Sequence, residues 1–113
     1  MDATSVPPAS LSVHRARGFW SRLAGLLARP ELRRGEALVL TPCRSVHTWF
    51  MPYAIDIVFI DRAGRVLRVA ADVAPWRVVS CGASHAVLEL RSGEASHYGF
   101  VPGARLAPAL LQG

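Results

Sequence analysis

The chain has 113 residues, 51% apolar and 19% charged, a globular composition long enough for one hydrophobic core and short for two. Its formal charge is +5, carried by 13 arginines and no lysine; they are scattered rather than massed, which favours weak attraction to acidic surfaces and argues against a specific nucleic-acid site. No apolar run approaches the roughly 20 residues of a membrane span, and two cysteines are too few for a disulfide framework.

Residues 1–10 are polar and proline-rich and read as a flexible leader. They lack the basic start, apolar block and small-residue cleavage site of a secretion signal, so a cytoplasmic protein is expected, more readily a monomer than an oligomer. A single domain is expected over 11–106, with 107–113 frayed. Leu11 to His14 suits a short edge strand. Phe19, Trp20, Leu23, Leu26 and Leu27 recur at amphipathic-helix spacing, with Arg22 and Arg29 between them and Pro30 as the stop, predicting a helix over 18–28. Ala37 to Leu40 reads as a buried strand.

The densest run of chemically capable groups lies between Thr41 and Asp61. Val46 to Phe50 favours strand, with Cys43 in the entering loop and Met51 in the leaving one. Ile55 to Ile60 is β-branched and aromatic. Ile55, Ile57 and Phe59 share one face, and Asp56, Val58 and Ile60 the other. Both faces are apolar but for Asp56, so the strand should be buried. A buried acid must be satisfied: Asp56 either accepts N–H bonds from a neighbouring loop or acts as a functional carboxylate towards His47. Cys43, His47, Met51 and Cys81 supply thiolate, imidazole and thioether groups that suit copper(I) or zinc. No C-x-x-C or H-x-x-x-H pair supports a zinc site, and a buried Cys or Met is more often a core filler.

Asp61 to Gly64 is a turn of hairpin length, and Arg65 to Ala70 returns as the partner strand. Residues 72–82 read as a loop carrying Trp76 and Arg77, an apolar plate beside a rigid fork for a carboxylate or phosphate. The plainer alternative has Trp76 capping the core. His85 to Leu90 is a strand whose Glu89 either partners Arg77 or faces solvent. Ser92 to Tyr98 allows a helical turn ended by Gly99, and Phe100 to Leu106 a tight turn and last strand. The expected class is α+β: mainly antiparallel β, a small curled sheet or barrel with one N-terminal helix packed on it.

Laid out in order, several motifs resemble the bacterial and archaeal DUF192 family, a domain of unknown function. They are R-x-x-G-L-L-x-R through Arg22, Gly25, Leu26, Leu27 and Arg29, Gly-Glu-Ala-Leu at 35–38, and C-x-S-V-H-T-x-x-M at 43–51. I-D-I-V-F-I-D at 55–61, P-W-R at 75–77, V-L-E-L at 87–90 and S-G-E-A-x-x-x-G at 92–99 follow. The resemblance implies a compact β-rich fold with a packed helix, and no reaction. Two departures show: Gly103-Ala104 stands where the family commonly has Gly-Asp, and the leader that many members carry is not expected here.

Three functional readings follow. The first is a small binding or accessory module, for a small molecule or partner protein, with a loop-lined pocket drawn from Cys43, His47, Met51, Asp56, Trp76, Arg77, Cys81 and Glu89. The second is a metal or redox site on Cys43, His47, Met51 and Cys81. The third is a hydrolase-like enzyme using Cys43, His47 and Asp56, for which no nucleophile motif is present. Which cofactor, if any, the domain uses is left unknown by the sequence.

Overall fold

The computed structural model describes residues 5–6, 11–16, 32–49 and 51–107. Among these residues nine strands run β1 Ser5–Val6, β2 Ser12–Ala16, β3 Glu36–Leu40, β4 Ser45–His47, β5 Ile55–Ile60, β6 Val66–Val73, β7 Val78–Ser80, β8 Ala86–Arg91 and β9 Arg105–Leu106, with one helical turn, α1 Glu94–His97, before β9. The main sheet has the order β2-β3-β8-β5-β6. Its β2–β3 pair is parallel and the rest antiparallel. β4 and β7 form a separate antiparallel ribbon, and β1 pairs with β9 in parallel.

β5 behaves as its alternation predicts. All six of its residues are buried. Val58 and Ile60 enter one apolar cluster with Val39, Leu88, Leu90, Phe100 and Leu106. Ile55, Ile57 and Phe59 enter a second with Cys43, Val46, Met51 and Val87. The sheet therefore carries a core layer on each face, and burying each large side chain contributes about 1.5–3 kcal/mol.

The α+β expectation, with an N-terminal helix on a curled sheet or barrel, does not hold. Of the described residues 48% are in strands and 5% in helix, and the helix they contain is the four-residue α1. Among the described residues the sheet stays open, with β2 and β6 as its two edges. Closure is not needed to bury β5, because apolar layers already cover both faces. The expected helix at 18–28 lies outside the described residues, as do Phe50 and the end of the tail from 108.

The loop expected over 72–82 is another correction: β6 runs on to Val73, and Val78–Ser80 is a strand. The Asp61–Gly64 hairpin turn stands where expected. The Asp61 carboxylate accepts from the N–H groups of Ala63 and Arg65, both at 2.9 Å. Among the described residues no helix is long and apolar enough to cross a membrane.

Candidate functional site

The β4–β7 ribbon is built by period-two alternation. Val46 faces Val79 across it, and both turn inward onto the cluster of Ile55, Ile57 and Phe59. Ser45 faces Ser80 and His47 faces Val78, so these four share the outer side. The Ser80 hydroxyl meets that of Ser45 at 2.8 Å, and Val78 is 60% exposed.

At one end of the ribbon Thr48 ties two loops together. It is fully buried. Its hydroxyl donates to the Ala74 carbonyl at 2.7 Å and accepts from the Arg77 N–H at 2.9 Å. Its backbone N–H donates to the Arg77 carbonyl at 2.8 Å, and its carbonyl accepts from Met51 and Trp76 at 3.2 Å. The clamp holds Trp76 at φ 67°, left-handed backbone that a bulky residue rarely adopts. Trp76 is thereby stacked beside Trp49, ring centroids 6.5 Å apart and planes 27° from parallel. Trp49 lies 4.8 Å from the His47 ring. Trp49 and Trp76 are 44% and 59% exposed. The result is an aromatic platform on the outer face of the ribbon, and Trp76 does not cap the core.

The sequence-predicted site residues divide into three groups. His47 and Trp76 belong to this platform, with Arg77 exposed beside it. Cys43, Met51 and Cys81 lie beneath the ribbon in the second cluster, where the Cys43 thiol donates to the Ser45 carbonyl at 3.3 Å. No disulfide joins the two cysteines. Among the described residues no three of His, Cys, Asp and Glu gather as a metal site requires.

Asp56 and Glu89 go elsewhere. The Asp56 carboxylate accepts from the N–H groups of Asp72 at 2.8 Å, Gly93 at 3.0 Å and Ala95 at 2.9 Å. It lies on the face of β5 opposite Ile55, Ile57 and Phe59, and so cannot orient His47. The hydrolase-like arrangement loses its carboxylate, and the loop-ordering reading of Asp56 is the one that stands. Glu89 does not face solvent: it is wholly buried in β8, paired with Ile57 and Leu38, while Arg77 is exposed.

Sequence reading missed Trp49, Thr48 and Val78. The signal was available for Trp49, which continues the outward alternation Ser45, His47, Trp49. Thr48 could not be found, because its partners Ala74 and Arg77 are 26 and 29 residues away.

Two solved structures share the fold. A protein of unknown function from Novosphingobium aromaticivorans is 26% identical, with TM-score 0.71 over 84% of this chain and 73% of its own. A Sinorhizobium meliloti protein, provisionally named a transcription regulator, is 25% identical, with TM-score 0.72 over 89% of this chain and 84% of its own. No curated protein matches. The family model of DUF192, described as an uncharacterised group, matches residues 2–108, and across nearly its whole length the chain belongs to that family.

Proposed function

We propose that this domain is a binding module and that the His47–Trp49–Trp76 platform is its recognition surface. The observation carrying the reading is Trp76: a large ring, more exposed than buried, on a left-handed backbone fixed by Thr48. Such a conformation costs about 1–3 kcal/mol and persists only where the surroundings over-determine it. Beyond its stacking on Trp49, the exposed part of the ring contributes nothing to folding, so a ligand is the natural beneficiary. The platform supplies flat apolar area, with Arg77 exposed at its margin, while the ring nitrogens of His47 are buried beneath it. Cys43, Met51 and Cys81 support the ribbon from below rather than line the surface.

The test separates folding from recognition. Trp49→Ala and Trp76→Ala are expected to change unfolding free energy by about 0.5 kcal/mol or less, as exposed substitutions do. Trp76→Gly relieves the left-handed backbone and is expected to leave stability unchanged or raise it by up to about 1 kcal/mol. Ile57→Ala, in the core beneath, should cost about 2–5 kcal/mol. Urea denaturation reads all four. A loss above about 2 kcal/mol in either tryptophan variant would make the rings structural and remove the platform as a recognition surface.

A further inference from the structure

We propose that the outer face of the β4–β7 ribbon binds single-stranded nucleic acid without sequence preference, its bases stacking on Trp49 and Trp76 and its phosphates meeting the flanking arginines. The proposal rests on the platform reading and names its ligand.

Charge carries the choice. Residues 41–55 and 73–85, which form the ribbon and its approaches, contain no Asp or Glu. Among the described residues three arginines stand around it. Arg77 precedes β7 at the tryptophan end, bound through its backbone to Thr48. Arg44 precedes β4 at the other end, where its carbonyl accepts from the Cys81 N–H at 2.8 Å. Arg68 reaches the same end, donating to the Ser80 carbonyl at 2.8 Å. Beyond Arg44 the surface opens into a groove of about 460 Å³ whose lining includes Arg44, Arg62, Ser84 and His85. The one acid among its described lining residues, Asp61, has a carboxylate oxygen already occupied by the Ala63 and Arg65 N–H groups.

The two ends are joined by four residues of extended chain, about 13 Å at about 3.3 Å per residue. Exposed aromatic rings at one end, with arginines at both ends, match the two parts of a nucleotide strand. Bases of any identity stack on indole, and arginine suits phosphate. A neutral sugar or apolar peptide makes no use of the arginines, and an acidic peptide makes no use of the stacked rings. A duplex hides the base faces the rings need.

The probe is a fluorescein-labelled thymidine dodecamer, read by anisotropy, against an abasic strand of equal length and an acidic polyglutamate peptide. The dodecamer is expected to bind at about 50 mM salt and weaken steeply towards about 200 mM. The abasic strand and the peptide should bind at least about tenfold more weakly, since stacking is worth about 1–3 kcal/mol per base. Trp49→Ala and Trp76→Ala should each weaken dodecamer binding about tenfold at an unchanged salt slope. Arg44→Ala and Arg77→Ala should each lower that slope by about 0.7. Equal binding of the abasic strand or the peptide overturns the proposal, and that comparison needs no variant. Absence of dodecamer binding also overturns it, yet leaves the platform standing if both tryptophan variants keep the native melting curve.

Discussion

Three backbone N–H groups converge on Asp56, one from the end of β6 and two from the start of α1. Each is a charge-assisted bond, and removing the carboxylate leaves buried donors unsatisfied. Asp56→Ala is therefore expected to cost about 3 kcal/mol or more, measured by urea denaturation, while leaving the outer ribbon face chemically unaltered. The need for such partners was legible in the sequence, because an acid inside Ile55–Ile60 has to be satisfied. Which N–H groups supply them was not, since Gly93 and Ala95 lie 37 and 39 residues away. Trp76 shows the opposite case. Its residue type marked it as a candidate, whereas its exposure follows from the Thr48 clamp, a contact with no local signature.

Strand β6 carries more residues than β5 opposes. The register shifts between Ile55 and Ile57 and again between Phe59 and Ile60. The first irregularity includes Asp72 at φ 54°, whose N–H is thereby aimed at Asp56. A period-two reading cannot see such bulges, which is why the strand was expected to end at Ala70. The turn before β6 was readable from Asp61 and Gly64, but its packing was not. A Cβ on Gly64 would lie 2.7 Å from the Leu106 carbonyl oxygen, on a backbone at φ +88°. Gly64→Ala is expected to lose about 2 kcal/mol or more, while Gly103→Ala, also left-handed but facing open space, should lose about 1 kcal/mol. Thermal melting of the pair separates clash from backbone strain. At the other edge, the Arg33 N–H donates to Glu36 at 2.9 Å and His14 lies 3.2 Å away. The backbone bond first, and His14 second, hold the Glu36 carboxyl below its ordinary 4.5. Its contribution is full above that value and lost as pH falls through the lowered one. Amide exchange of β2 should quicken on acidification through that window, and the Glu36→Gln variant should show a weaker pH dependence.

At the scale of the molecule, the face assignment of β5 foretold a sheet buried on both sides, and both core clusters follow it. Closure into a barrel was not foretold correctly, because β-propensity shows where strands form and not whether the last meets the first. Nor could the ribbon's separateness be read: β4 and β7 are 30 residues of chain apart, and their pairing rests on Val46, Val79 and the buried hydroxyl of Thr48. The same alternation has a consequence for divergence. Inward positions Val46 and Val79 answer to the core, and the exposed outward positions Ser45, Trp49, Val78 and Ser80 do not. Substitutions on the outer side can therefore accumulate, or be introduced by design, without repacking the interior. A single scaffold of this kind can change what it recognises while keeping how it folds.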